Sequence, residues 1–131
     1  MKGQLNKILI ERFSRQIILK DIGVVGQKKI LLSKVLIVGV GGLGSPVAEF
    51  LSRAGIGTIG IVDDDRVSLS NIHRQSLYHT SDVGKFKVKI AKDRIKNINP
   101  NTKIKIYKIR LNNLNFKKII NDYDYVVDGS D

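Results

Sequence analysis

The sequence predicts an α/β protein with a Rossmann-like, doubly wound and mostly parallel sheet, preceded by N-terminal helices. Three observations predict this class. Short apolar runs alternate with helical patterns, which is typical of parallel strands joined by right-handed crossovers. A glycine-rich turn at residues 39–44 follows the first run and opens a helix, and charged residues follow the second run. Ligands of such sheets bind beyond the carboxyl ends of the strands. The expected strand order is 3-2-1-4.

The N-terminal part of the chain predicts two helices and the first strand. Residues 5–14 and 23–33 have helical patterns. Residues 35–38 form a short apolar run that ends at a glycine, as expected for a strand buried on both faces. We therefore divide the chain into a helical lead-in, residues 1–33, and a Rossmann-like domain, residues 34–131.

A helix is expected after the glycine turn, from about residue 43 to residue 54. Pro46 falls in its first turn, where a missing N–H costs little, and Gly55 follows as its C-terminal cap. Its expected core face comprises Leu43, Val47, Phe50, Leu51 and Ala54.

The rest of the chain alternates in the same way. A helix at about residues 85–98 ends before Pro100. On this helix Lys87 leaves the stripe of exposed lysines and lies beside the core face. That face comprises Val88, Ala91, Ile95 and Ile98. The other expected elements are strands at residues 58–62, 103–109 and 124–127 and a short helix around residues 116–120.

Composition limits the classes of protein to consider. The 131 residues suffice for one core, and 42% hydrophobic and 27% charged residues are ordinary for a globular domain. The chain has no cysteine, which excludes disulfides and thiolate metal sites in it. Since no apolar run could span a bilayer or act as a secretory signal, we expect a cytoplasmic protein without membrane contact. The net charge of +11 would attract an anionic ligand or partner, such as ATP, an acidic protein or nucleic acid. The alternative is that it reflects only a lysine-rich composition.

The glycine turn predicts a nucleotide site. Glycines let the backbone approach a ligand closely, and the helix N-terminus presents N–H groups to phosphate. Asp63 ends the second strand, where an acid typically accepts hydrogen bonds from ribose hydroxyls. We expect Asp64 to be a solvated turn residue, whereas Asp65 is compatible with either role.

Residues after Asp63 favour a triphosphate over a dinucleotide. Ser70, Asn71 and Arg74 place an amide and a guanidinium just beyond the second strand, and arginine binds phosphate in a bidentate manner. Lys87 lies in a first helical turn, where a cation is unfavourable unless an anion is near. It is equally compatible with a lysine that extends from a helix boundary toward solvent.

Two further features of the sequence are candidate metal sites. His73 and His79 have no cysteine or closely spaced histidine partner, so both are expected to be ordinary loop residues. Residues 128–131 follow the fourth strand, and an acid there would suit Mg²⁺, which binds one or two carboxylates together with phosphate oxygens. An ordinary polar loop is the alternative.

Together these motifs resemble the N-terminal part of the ThiF/MoeB/HesA family, relatives of the ubiquitin-activating enzymes. The resemblance covers about residues 10–131, and its combination of motifs is far more specific than a lone glycine pattern. The matching stretches are residues 12–16, 26–27, 39–45, 54–57, 63–75, 82–87, 99–100 and 128–131.

The resemblance implies an ATP-dependent reaction. Family members bind MgATP and the C-terminal Gly-Gly tail of a small ubiquitin-like sulfur-carrier protein. The tail carboxylate attacks the α-phosphate, giving an acyl-adenylate and pyrophosphate. The implied nucleotide-binding residues are Gly39, Gly41, Gly42, Gly44, Asp63, Asp65, Ser70, Asn71, Arg74 and Lys87. The implied catalytic residues are Arg74, Lys87, Asp131 and Arg15. Asp131 resembles the acid that holds Mg²⁺. Arg15 resembles an arginine that acts in the neighbouring subunit of a homodimer.

The chain also departs from the family pattern. Members usually continue with a second half that holds the carrier tail, often binds zinc and sometimes carries a catalytic cysteine. We expect zinc and thioester chemistry only there, and one interpretation is that this chain is an inactive piece. His73 stands where the family commonly has glutamine.

Two other classes of function remain open from the residues alone. The first is an NAD(P)-binding oxidoreductase domain, against which Arg15, Arg74, Lys87 and Asp131 count together. The second is a basic nucleic-acid-binding module, which is disfavoured because four Tyr, four Phe and no Trp give few stacking platforms. The downstream pathway, thiamine, molybdenum cofactor or another, stays undetermined.

Overall fold

The computed structural model describes residues 3–131 and contains four parallel strands. They are Lys34–Val38 (β1), Thr58–Val62 (β2), Lys103–Tyr107 (β3) and Tyr125–Asp128 (β4). The sheet order is β3-β2-β1-β4, and every pairing is parallel. The predicted fold class and strand order 3-2-1-4 are confirmed.

Helices connect and precede these strands. Their bounds are Lys7–Arg12 (α1), Ser14–Ile17 (α2), Gly23–Leu32 (α3), Gly44–Ala54 (α4), Lys87–Ile98 (α5) and Phe116–Ile120 (α6). Two short 3₁₀ turns, Leu69–Asn71 and Thr80–Asp82, lie between β2 and α5. No helix within residues 3–131 is both long and apolar enough to cross a membrane.

The expected helix at residues 5–14 is divided at Phe13, whose backbone leaves the helical region (φ −106°, ψ 14°). The break turns the Phe13 ring inward, where a Cβ on Gly55 would lie 2.7 Å from its Cζ. Gln16 and Gln27 donate to the Ala54 carbonyl at 3.0 and 3.1 Å. These contacts fix the N-terminal helices to the end of α4.

The predicted core face of α4 is partly wrong. Leu43 is 69% and Phe50 64% exposed, although Val47 and Leu51 do pack against the core. The residues of α4 that are buried are small: Gly44, Ser45, Ala48 and Ser52. The glycine turn brings the start of the helix against the backbone, so small side chains occupy the buried line and larger ones are displaced outward.

The sheet has an apolar core on each face, because successive side chains of a strand point to opposite faces. The larger core joins Val35, Ile37 and Ile61 of the strands to α4 and α5. The smaller one groups Leu36 and Val62 with Ile119 of α6. Helices therefore cover both faces, as a doubly wound sheet requires.

The other predicted boundaries differ by two residues or less. α5 begins at Lys87 because Phe86 is extended and forms an isolated antiparallel bridge with Arg66. β3 ends at Tyr107, where its pairing with Val62 of β2 ends. On α5 the predicted core residues Val88, Ala91 and Ile95 are buried, and Ile98 is half-buried.

Candidate functional site

The glycine turn lies where the strand order reverses, between β1 and β4. Gly129 donates its N–H to the Val38 carbonyl at 2.7 Å. Gly39 adopts φ +84°, and a Cβ on it would lie 2.9 Å from the Gly129 carbonyl carbon. The turn after β1 and the loop after β4 are therefore in direct contact. Such a switch point is where open α/β sheets bind their ligands.

The glycines of the turn have two different functions in the fold. A Cβ on Gly44 would lie 1.8 Å from the Gly39 carbonyl oxygen, so these two residues close the turn. Positions 41 and 42 instead face side chains. A Cβ on Gly41 would lie 3.3 Å from Gln75 Nε2, and one on Gly42 would lie 3.7 Å from Arg74 Cδ. The second pair leaves backbone accessible beneath two polar side chains.

The middle of the turn is anchored through Val40. Its carbonyl accepts hydrogen bonds from Ser45 Oγ at 3.1 Å and from the Tyr78 hydroxyl at 2.6 Å. Its N–H donates to Asp63 Oδ2 at 3.0 Å. Burial, and then the negative charge of Asp63, raises the pKa of Tyr78 far above its ordinary value, so its hydroxyl stays a donor. The turn therefore has a fixed shape without a ligand.

Asp63 connects the turn to the loop after β2. Besides Val40, it accepts a hydrogen bond from the Asp65 N–H through Oδ1 at 2.8 Å. A carboxylate offers about four lone-pair positions, so Asp63 keeps acceptor capacity for ribose hydroxyls. Its expected ribose-binding role stays a prediction. The carboxylates of Asp63, Asp64 and Asp65 have oxygens within 4.8 Å of one another, a grouping that the sequence analysis did not anticipate.

Ser70 and Asn71 lie in the 3₁₀ turn Leu69–Asn71, and Arg74 lies in the turn that follows it. Asn71 Oδ1 accepts a hydrogen bond from the Ser68 N–H at 2.9 Å, which leaves the donor side of its amide for a phosphate. Arg74 Nη1 donates to the Ser70 carbonyl at 3.0 Å, and its side chain lies against Gly42. The structure thus brings Arg74 against the glycine turn, and its predicted role toward phosphate stays a prediction.

Lys87 is buried at the start of α5, with 5% of its surface exposed. Its Nζ lies 3.8 Å from Asp65 Oδ2, on a carboxylate side chain that is itself 70% exposed. The backbone N–H of Lys87 also donates to the Asp65 carbonyl, at 3.0 Å. A buried ammonium with one long ion pair has room for a second anionic partner. The predicted position beside the core face is confirmed.

The two remaining candidates are not brought into contact with the others. Arg15 is exposed on α2, between the inward-facing Phe13 and Gln16. Asp131 is exposed two residues after Gly129. Within residues 3–131, neither side chain makes a hydrogen bond or ion pair with the glycine turn, Asp63, Arg74 or Lys87, which together we call the cradle. Their predicted roles stay predictions.

Sequence reasoning also missed two groupings of charged side chains. Arg94 Nη2 binds Asp82 Oδ2 at 2.9 Å and His79 Nδ1 at 3.0 Å. Arg66 and Lys108 both lie over the Phe86 ring, at 3.8 and 4.0 Å from its centroid.

Gln75 at the glycine turn was also given no role, although it ends the stretch of residues 63–75 that carries the family resemblance. The two histidines are exposed; His79 takes part in the first grouping, and His73 Nε2 lies 3.5 Å from Arg74 Nη1.

Comparison with known proteins agrees with this geometry. A sulfur carrier protein adenylyltransferase from Thermus thermophilus is 44% identical over 122 residues, which are 93% of this chain and 45% of the relative. An adenylyltransferase and sulfurtransferase from Vanderwaltozyma polyspora is 48% identical over 92% of this chain and 28% of its own length. This chain therefore spans less than half the length of these curated relatives.

Solved structures show the same fold. The E. coli tRNA N6-threonylcarbamoyladenosine dehydratase, in complex with ATP, matches with a TM-score of 0.88 and 27% identity over 98% of this chain and 52% of that one. The model of the ThiF family matches residues 13–131. Since that match includes the glycine turn, Asp63, Arg74, Lys87 and the loop after β4, the chain belongs to the ThiF family.

Proposed function

We propose that the chain binds ATP and forms the nucleotide-binding part of an adenylyltransferase. The observation that carries this proposal is the preformed cradle at the β1–β4 switch point, where Arg74 lies against Gly42 and Lys87 is buried beside Asp65. The names of the relatives support it, since the Thermus thermophilus protein is a sulfur carrier protein adenylyltransferase. The partner we propose is accordingly a small ubiquitin-like sulfur-carrier protein that ends in Gly-Gly, and the location is the cytoplasm.

The proposed reaction is an in-line displacement at phosphorus. A terminal carboxylate oxygen of the carrier forms a bond to the α-phosphorus while the bond from that phosphorus to the bridging oxygen breaks. The products are an acyl-adenylate and pyrophosphate. Arg74, Lys87 and the Asn71 amide offset the charge of the phosphates, and Asp63 orients the ribose. None of these side chains becomes covalently attached.

The family also implies Mg²⁺, which would offset phosphate charge when bound. The donor chemistry of this edge fits the ion, because Mg²⁺ takes one or two carboxylates together with phosphate oxygens. Asp131 is the carboxylate we propose to hold it, on the loop that contacts the glycine turn through Gly129. Asp64 and Asp65 supply further exposed carboxylates at the same edge.

A homodimer in which Arg15 acts on the neighbouring site is part of the proposal. Phe13 is buried and Gln16 is bonded to the end of α4, so the helix that carries Arg15 is fixed while its guanidinium remains in solvent. Such a side chain is available to a second subunit. We also propose that carrier binding, and zinc where relatives have it, requires parts of the relatives that have no counterpart in this chain.

Calorimetry with ATP and NAD tests the proposal most directly. We expect ATP to bind more tightly, because the cations at Arg74 and Lys87 suit a triphosphate. Binding of NAD without ATP would favour the oxidoreductase alternative. Salt-dependent binding of DNA or RNA without any nucleotide binding would favour the nucleic-acid alternative.

A further inference from the structure

Gln75 is a buried polar residue that the proposed reaction does not use. It is 3% exposed. Its backbone is held on both sides, since its N–H donates to the Asn71 carbonyl at 2.9 Å and its carbonyl accepts from the Tyr78 N–H at 3.1 Å. Its side-chain Oε1, in contrast, is buried without a hydrogen-bond partner within residues 3–131.

The side chain is directed at the glycine turn. Arg74 and Gln75 are consecutive, and they lie against the consecutive glycines 42 and 41. A Cβ on Gly41 would lie only 3.3 Å from Gln75 Nε2, so the glycine leaves just enough space for the amide. One dipeptide therefore places a guanidinium and an amide over two successive peptide units of the turn.

Stability alone does not account for an amide at this position. A buried carbonyl without a partner is unfavourable, and an apolar side chain of the same shape would be equally stable or more so. Buried polar groups that lack a partner are rare in folded proteins and concentrate at functional sites. Since no internal hydrogen bond holds the side-chain oxygen of Gln75, the orientation of its amide is free to be set by the other end, the Nε2 donor that faces Gly41.

The order of residues along the turn indicates which part of a nucleotide the amide would meet. Val40 is bonded to Asp63, the residue expected to hold the ribose. Gly42 lies against Arg74, which is expected to face the phosphates. Gly41 and Gln75 lie between these two positions. The group between a ribose and the outer phosphates is the α-phosphate.

We propose that Gln75 is a nucleotide-positioning residue whose Nε2 donates to the α-phosphate as it passes over Gly41. This inference rests on the proposed ATP site and adds to it the residue that fixes the reacting phosphorus. The amide is neutral, so it recognises one phosphate oxygen without adding charge. Its contribution is therefore the same for ATP, ADP and AMP, whereas that of Arg74 grows with the number of phosphates.

The test is Gln75→Met, which keeps length and removes both polar atoms. Calorimetry is done on the 131-residue chain with ATP, ADP, AMP and adenosine, and the melting temperature is measured without ligand. We expect an unchanged or higher melting temperature. Affinity for ATP, ADP and AMP should fall by a similar factor, about tenfold for one charge-assisted bond, while adenosine binding is unchanged. Arg74→Ala is the matched control and should weaken ATP binding more than AMP binding.

Gln75→Glu gives a second, independent variant, because it keeps the shape and replaces the donor by a negative charge. It should weaken binding of all three phosphorylated nucleotides more than Gln75→Met does. If folded Gln75 variants bind ATP and AMP as the unmodified chain does, the inference is wrong and the ATP site stands. If the unmodified chain binds no adenine nucleotide, the proposed function fails and the inference fails with it.

Discussion

The candidate residues fall into two groups that are held very differently. The group formed by the glycine turn, Asp63 and Lys87 is anchored by short hydrogen bonds and burial, and three of these bonds converge on Val40. The other two candidates, Arg15 and Asp131, are exposed side chains at the surface of the described chain. The first group is therefore held in a fixed arrangement for the nucleotide that we propose it binds. The difference suggests that binding and chemistry can be separated by mutation.

We expect the largest effect at Gly44 of the anchored group. Gly44→Ala would place a Cβ 1.8 Å from the Gly39 carbonyl oxygen, and a backbone atom cannot move aside without opening the turn. The expected loss is about 3 kcal/mol or more of the free energy of unfolding, as for severe overpacking. Urea unfolding followed by circular dichroism measures it.

Gly42→Ala is the matched control, because its Cβ would make only ordinary contact with Arg74, at 3.7 Å. We expect its stability to change by no more than about 0.5 kcal/mol. Its ATP affinity should nevertheless fall, since the methyl group stands where the nucleotide approaches the backbone. Equal stability losses in the two variants would show that the two glycines do not have separate functions.

A smaller effect is expected at the surface of the anchored group. Arg74→Ala removes a proposed phosphate donor but no core contact. Among the described residues, the exposed guanidinium bonds only to the Ser70 carbonyl and, at 3.5 Å, to His73. ATP binding should weaken by about 1.5–3 kcal/mol, the range for a hydrogen bond to a charged group. Calorimetry measures this, and unfolding curves check that stability is retained. Unchanged ATP affinity in a folded variant would show that Arg74 is an ordinary surface residue without a role in ATP binding.

The sequence predicts the anchored group well because its signals are local. The apolar run of β1, the glycines that follow it and Asp63 at the end of β2 lie in strict order along the chain. A parallel sheet then brings strand ends together at one edge. The same logic placed Lys87 beside the core, since helical periodicity alone fixes its direction.

The parts that could not be predicted depend on contacts between distant residues. The apolar periodicity of α4 suggested that Phe50 is buried, but the close approach of Gly44 to Gly39 reserves the inner line for small residues. Arg94 of α5 forms an ion pair with Asp82 of the preceding 3₁₀ turn, and no spacing rule predicts that pair from the sequence. Gln75 belongs to the stretch of residues 63–75 that resembles the family, but the sequence alone does not show that its side chain is buried. Its side chain becomes buried only when the chain folds and brings it against the glycine turn.

A third prediction compares two aspartates whose pKa values are both lowered. Burial would raise the pKa of Asp82, but the His79 N–H and Arg94 outweigh it and lower the pKa below its ordinary 3.8. Its stabilisation is therefore complete above the unfolded pKa and is lost as pH falls through the lower folded pKa. Asp82→Asn should cost about 1–2 kcal/mol at pH 7, because Arg94 loses its charged partner. In acid that difference should shrink.

Asp128 is the control for this pH dependence. Hydrogen bonds from the Ser130 side chain and backbone also lower its pKa, but the carboxylate is fully exposed. Because solvent screens those hydrogen bonds, we expect Asp128→Asn to change the acid part of the stability curve much less than Asp82→Asn does. Chemical denaturation between pH 2 and pH 7 measures both variants. A parallel acid dependence in Asp82→Asn and the unmodified protein would contradict the role given to the Arg94 pair.

The smallest effect on binding is expected at the exposed Asp131. Asp131 is proposed to hold Mg²⁺ where the α-phosphate reacts, and such charge compensation is greater in the transition state than in the ground state. Asp131→Ala should therefore change ATP affinity by no more than about twofold and abolish carrier-dependent pyrophosphate exchange in an active, carrier-binding assembly. Mixing Arg15→Ala with Asp131→Ala subunits should restore part of that exchange, because each mixed dimer contains one site with both groups intact. If subunits exchange and no activity returns, Arg15 acts within its own chain, and the active site needs no residue from a partner subunit.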